Sequence, residues 1–195
     1  MGMDQDLVSE IHELLERFQA GYRARDLEQV PAFMDLFVDD AELEVIGTNA
    51  WIPGEGEWCL GRDAAQRLVV GDWKGWGDLA LDLAAARIHV RGEVAWLAVP
   101  ARVIDTDTAA DSYKSFMGFA RYVLDHGEQW SPQQALYDIT RFGTELLVEI
   151  QAGAPSVWPL RFTAVAVRNR DGKWRFHQVT FSFPTTRIPD ERVKE

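Results

Sequence analysis

Proton transfer near neutral pH needs a side chain that titrates there. The sequence offers four histidines, His12, His89, His126 and His177, and an acid, Glu57, set beside the indole of Trp58. Imidazole is the natural general acid or base at this pH. His177 is the catalytic candidate among the four because it lies within a strand-like run near the C-terminus. No Asp, Ser or Cys in the sequence visibly teams with it, so a hydrogen-bonded histidine on an outer sheet face is the plainer reading. His12, His89 and His126 fall on an expected helix, a strand and a helix end. No H-x-H, H-x-x-x-H or H-E-x-x-H spacing occurs, so neither a metal site nor a cofactor is expected. Glu57 held against indoles would have a raised pKa and could act as a base. The plainer role is to brace its own loop by accepting backbone hydrogen bonds. Arg102 and Arg161 interrupt apolar strands. There they either meet a ligand carboxylate, pair internally with acids such as Asp40, Glu42 or Asp82, or stand on an exposed sheet face.

These residues must be positioned by elements that the hydrophobic pattern outlines. Leu7, Ile11, Leu14, Leu15, Phe18 and Tyr22 recur at helical spacing, giving a first helix from about Asp4 to Arg23. Asp26 reads as the N-cap of a second helix carrying Val30, Phe33, Met34 and Phe37. Glu42 to Val45 alternates as a strand. Gly61 opens a third helix with Ala64, Ala65, Leu68 and Val69 inward, broken by Gly71, Gly75 and Gly77. Residues 79–91 and 93–105 form a hairpin about Arg91-Gly92, and 157–169 and 173–183 form another about Asp171-Gly172. Between the hairpins, Tyr113, Phe116, Met117, Ala120 and Val123 mark one helix. The capping box Ser131-Pro132-Gln133-Gln134 opens a second, continued by Leu136, Ile139, Leu146, Leu147 and Ile150. The expectation is a single domain over 1–195 with a helical insertion at about 106–156.

On the last strand, alternation puts Trp174, Phe176, Gln178, Thr180 and Ser182 on one face. Arg175, His177, Val179, Phe181 and Phe183 fall on the other. The first face is mixed in character and is taken as the concave one. The second is taken as an apolar surface seeking another layer, hence a homodimer.

The order Gly47-Thr48, Glu57-Trp58 and Gly61 resembles the G-T-x-x-x-E-W-W-x-G run of SnoaL-like domains in the nuclear-transport-factor-2-like (NTF2-like) superfamily. Cys59 stands where the second Trp of that run would be, and the loop is longer, with Trp51 and Pro53. The segment Trp174 to Ser182 is similar to the common final strand W-(basic)-I-x-x-x-H-x-S, with Thr180 where many relatives carry His. The resemblance implies an α+β, cone-shaped, cystatin-like fold: a curved antiparallel sheet wrapped on N-terminal helices, with a pocket in the cone. Ketosteroid isomerases and scytalone dehydratases of this superfamily use acids or His in the cone. Their catalytic sets match no positions here, so none is carried over. On this scaffold Trp58, Arg161, Gln178 and Thr180 are expected to line a shared cavity, with Glu57 the nearest acid.

The net charge of −11 arises within residues 1–60, which hold 14 acids against three arginines. Such a surface repels phosphate backbones, so nucleic acid is not an expected partner. No apolar run approaches the ~18 residues of a membrane span. Asp4 and Asp6 at the start are unlike a secretory signal, and a lone Cys59 forms no intrachain disulfide; a cytoplasmic protein is expected. Eight tryptophans are many for this length, and core packing is their commonest use. The sequence therefore points to a protein binding a small apolar molecule. The alternatives are a cofactor-independent isomerase, dehydratase or cyclase, and a structural dimer module with a filled pocket.

Overall fold

The computed structural model describes residues 2–50, 52–105, 108–129, 131–153 and 155–183. The amphipathic opening forms α1 (Gly2–Ala24), whose apolar stripe Ile11, Leu14, Leu15, Phe18 and Tyr22 is buried. Asp26 caps a short 3-10 turn by accepting from the Glu28 amide at 3.0 Å. The helix expected to continue to Phe37 is only α2 (Val30–Met34). It stops early because Leu36 and Val38 pair with Phe176: the Phe176 amide donates to the Leu36 carbonyl at 2.8 Å, and the Val38 amide to the Phe176 carbonyl at 3.0 Å. Two three-residue strands follow, β1 (Glu44–Ile46) and β2 (Trp58–Leu60), then α3 (Arg62–Gly75), which runs through Gly71 and ends at Gly75.

The expected strand over 79–91 is two strands, β3 (Asp78–Leu81) and β4 (Arg87–Arg91). Asp82 separates them by capping a 3-10 turn, its carboxylate accepting from the Ala85 amide at 3.2 Å. β5 (Val94–Asp105) leads to α4 (Ala109–Asp125) and α5 (Pro132–Ala152), and β6 (Ser156–Arg168) and β7 (Trp174–Ser182) complete the chain. The sheet order is β2-β1-β7-β6-β5-β3, with β4 also on β5. β1 joins β7 in parallel and β2 antiparallel, which places the loop between β1 and β2 at one end of the sheet.

The chain divides into two compact units, one from the N-terminus to Val103 plus the strands from Trp158 onward, the other Ile104–Val157. In the first, the inner sheet face packs on α1 around Phe18. Its ring lies 5.0 Å from those of Tyr22 and Phe162, 5.3 Å from Phe176 and 5.4 Å from Phe33. Along β5 the alternation is regular: Ala95, Leu97, Val99, Ala101 and Val103 are buried, while Trp96, Ala98, Pro100 and Arg102 are exposed. In the second unit, Thr108 and Ser131 cap α4 and α5 by accepting from the amides of Asp111 and Gln134. The two helices meet through Phe142, whose ring lies 5.6 Å from both Phe116 and Phe119.

One irregularity redistributes the candidate site residues. Val165 pairs with Gln178 and Ala166 with Phe176, so His177 has no opposite number and forms a β-bulge. A bulge inserts one residue and reverses the facing of everything beyond it. Trp174 and Phe176 are buried before it, Val179 and Phe181 after it. The expected faces of the last strand are thus corrected. Gln178, Thr180 and Ser182 leave the inner face. Phe181, expected on the outer face as part of a dimer surface, packs in the core 5.5 Å from Phe162 and 5.3 Å from Trp76.

Candidate functional site

The bulge and the short β1–β2 pair decide where the expected residues stand. Val45 pairs with Cys59 and with Val179, and all three are buried. Their neighbours Trp58, Ile46 and Thr180 form one cross-strand row on the opposite face; Leu60, Glu44 and Gln178 form the next. Gln178 Nε2 donates to Glu44 Oε2 at 3.0 Å. Arg161, across from Ser182, is exposed and donates to the Phe183 carbonyl at 3.0 Å. Trp58, Arg161, Gln178 and Thr180 therefore share a sheet face, but it is the outer one, and the structure does not bring them around an internal cavity. The indole Nε1 of Trp58 is buried with no hydrogen-bond partner among the described residues. His177, at the bulge, lies 3.9 Å from the exposed carboxylate of Glu42. His89 is exposed and stacks on Trp96 at 5.5 Å, and the His126 ring meets the Tyr122 carbonyl at 3.0 Å.

Glu57 holds its loop. Its two carboxylate oxygens accept from the Asn49 amide at 2.8 Å and the Asn49 side chain at 2.9 Å, and its own carbonyl accepts from the Gly47 amide at 2.9 Å. Gly47 has to be glycine because a Cβ there would run into the Glu57 side chain. The Gly-Thr and Glu-Trp pairs of the sequence are thus two sides of one clasp.

That clasp closes one end of a cavity of about 50 Å³, lined by Gly47, Thr48, Asn49, Glu57, Leu68, Asp72, Trp76 and Phe181. Asp72 is the chemically distinctive member. It sits on α3 one turn beyond Leu68 and Val69, on the stripe that faces the core. Its Oδ2 accepts a 2.8 Å hydrogen bond from the hydroxyl of Tyr22, itself 1% exposed on α1. Burial raises the Asp72 carboxyl pKa to about 7; the Tyr22 hydrogen bond opposes this and the Glu57 charge adds to it. Burial, with Asp72 beside it, also pushes the Tyr22 phenol well above its ordinary value. Tyr22 is thus a fixed donor, and Asp72 is the group that exchanges a proton at neutral pH. The cavity is small because aromatic rings fill the cone around it: Trp76 lies 6.2 Å from Tyr22, and Trp73 lies 4.9 Å from Phe33.

Sequence reading passed over both members of this pair. The available signal was an acid on an otherwise apolar helical face: Ala65, Leu68, Val69, Asp72 and Trp76 follow the i, i+3, i+4, i+7 rule, and an acid there must find a donor in the core.

A larger cleft of about 970 Å³ lies between the end of α2 and the β6–β7 turn. It is open, and several of its charges pair with one another. Arg175 grips Asp171 through two bonds of 2.7 and 3.0 Å. Arg62 donates to the Met34 carbonyl at 2.8 Å and to Asp35 at 3.2 Å. Among the described residues no group of three or more His, Cys, Asp or Glu is placed to hold a metal ion, and no helix is long and apolar enough to cross a membrane.

No protein-family profile and no curated protein sequence matches the chain. Solved structures do. An NTF2-like protein of unknown function from Pseudomonas putida is similar with a TM-score of 0.53 at 16% identity, over 90% of this chain and 85% of that one. A protein provisionally assigned as a dehydratase of the NTF2-like family from Streptomyces avermitilis gives 0.56 at 12% identity, over 92% and 97%. An NTF2-like protein with a cystatin-like fold from Novosphingobium aromaticivorans gives 0.53 at 13% identity, over 99% and 90%. The chain has the NTF2-like, cystatin-like fold. The SnoaL-like subgroup rests on the Gly47–Gly61 and Trp174–Ser182 resemblances alone.

Proposed function

We propose that this NTF2-like chain binds a small apolar carbonyl compound at the Tyr22–Asp72 niche and moves a proton on it without a cofactor. The observation that carries this reading is the half-buried carboxyl of Asp72, hydrogen-bonded by Tyr22, bordering a cavity and titrating at about 7. A general base works best when its pKa lies near the working pH, and a strongly shifted acid in a cleft is a functional-site candidate. At neutrality about half of Asp72 is ionised and can accept a proton from an acidified C–H or O–H. Tyr22 stays protonated, holds Oδ2 and steadies the carboxylate.

The size of the cavity sets the ligand class. About 50 Å³ holds a few waters, against the ~300–1,000 Å³ of sites that enclose a whole ligand. Only the reacting end of a molecule enters beside Asp72. A cytoplasmic location belongs to the same reading, supported by the single, buried Cys59.

The test is deuterium exchange into small cyclic ketones, followed by NMR, with wild type, Asp72→Asn and Tyr22→Phe. Exchange that falls by at least about 100-fold in Asp72→Asn supports the proposal. Exchange equal to the buffer rate in all three rejects it. A second reading, favoured by the aromatic filling of the cone, is a structural module whose pocket has been packed shut; it predicts that rejecting result.

A further inference from the structure

The helical unit has a feature the proposed chemistry does not use. On each of α4 and α5 a buried residue is followed by one that is left out. Val123 is 3% exposed and Leu124 76%; Leu146 is 5% exposed and Leu147 60%. One residue along a helix is a rotation of about 100°. Applied in the same sense to both members of an antiparallel pair, that rotation brings the second set onto one side of the hairpin. The resulting face carries Tyr113, Met117 and Leu124 from α4 and Leu136, Leu147 and Ile150 from α5. Tyr113, Leu136 and Ile150 are 53%, 67% and 48% exposed. The positions between them are Ala120, Thr140 and Gly143, so no charge interrupts the face.

We propose that this face of the α4–α5 hairpin is a homodimer interface, with the same face of a second copy as its occupant. Area supports a second copy. Each half-exposed leucine, isoleucine or tyrosine offers roughly 100 Å² of accessible surface. Two copies then cover about 1,000–1,200 Å², the size at which specific interfaces begin. Geometry supports it too: a flat two-helix layer is self-complementary under a two-fold axis, and two such layers make a four-helix bundle. Charge argues against a lipid surface. Residues 104–157 hold eight acids against three bases, whereas helices that lie on membranes are rich in Lys and Arg.

The test is light scattering on the full chain at micromolar concentration, with far-UV circular dichroism as the folding control. Wild type is expected at twice the 22.1 kDa chain mass. The double variant Leu124→Glu/Leu147→Glu is expected to be a folded monomer, its association weakened by at least about 100-fold because each copy would bury two carboxylates. Leu136→Lys/Ile150→Lys, at the other end of the face, is expected to do the same with the opposite charge. A monomeric wild type overturns the proposal. So does a dimer that persists in both folded variants, since it would be held by another surface, such as the outer sheet face around Trp96.

Discussion

Replacing Asp72 by Asn should make the protein more stable at pH 8 and have a much smaller effect at pH 4.5. In the unfolded chain Asp72 titrates near 3.8; in the folded protein it titrates at about 7. Between those values the folded state holds a proton that the unfolded state has lost, so the contribution of Asp72 to stability falls as pH rises. Below about pH 4 both states are protonated and burial of the carboxyl carries no ionisation cost. Above about pH 7 both are ionised and the full cost is present. Three pKa units correspond to about 4 kcal/mol; allowing for partial access of water to a half-buried residue, about 2–4 kcal/mol is expected. Asn is of the same size, is neutral throughout, and its Oδ1 can still accept from Tyr22.

The assay is urea denaturation followed by tryptophan fluorescence at half-unit steps from pH 4.5 to 8. Other acids shift the curves of both proteins alike, so the difference between wild type and Asp72→Asn isolates this one group. It should grow from about a quarter of its full size at pH 4.5 to a plateau above about pH 7, in favour of the variant. Parallel curves across the whole range would refute the reasoning, because they would mean that Asp72 titrates alike in both states.

Three further outcomes follow from the same site. Tyr22→Phe removes the donor that favours ionised Asp72, so the Asp72 pKa, read by carboxyl ¹³C NMR, should rise further above 7, and stability at pH 8 should drop by about 1–3 kcal/mol. Trp76→Ala removes an indole that lines the cavity; it should cost about 1–3 kcal/mol in denaturation and let free indole raise the melting temperature of the variant but not of wild type. Gly47→Ala forces a Cβ into the Glu57 side chain; a loss of about 1–3 kcal/mol is expected, with Glu57→Ala in the same chain restoring part of it.

What the sequence made legible was whatever depends on local pattern. The α1 stripe from Ile11 to Tyr22, the Asp26 and Ser131 caps and the turns at Arg91-Gly92 and Asp171-Gly172 each follow from nearby residues, and each is present. The Gly47/Glu57 spacing likewise encoded a clasp that closes within a dozen residues. The candidate site was less legible because strand alternation is a phase, and a phase survives only while the ladder is unbroken. One unpaired residue, His177, moves Gln178 and Thr180 to the outer face and Phe181 into the core. Nothing in the composition of Trp174–Ser182 announces that step: both of its faces mix aromatic and polar residues, so neither phase looks wrong on its own.

The helix offered firmer ground, and the reason is physical. A 3.6-residue period is maintained by hydrogen bonds internal to the segment, so Asp72 cannot slip off the stripe of Ala65, Leu68 and Val69 without ending α3. An acid fixed there has to be solvated by something in the core. The hydroxyl that reaches it is that of Tyr22, fifty residues away in sequence. Glu57 was the more conspicuous acid because it sits in a motif. Yet its oxygens are engaged by Asn49, and its part at Asp72 is electrostatic, adding to the rise in that carboxyl's pKa. The division of labour is therefore between an acid that shapes one end of the cavity and one that can exchange a proton inside it. Glu57→Gln separates the two roles: it keeps the size of the side chain and one of its two accepting oxygens while removing the charge, and so should lower the Asp72 pKa toward its ordinary value. An unchanged Asp72 titration in that variant would leave burial as its whole cause.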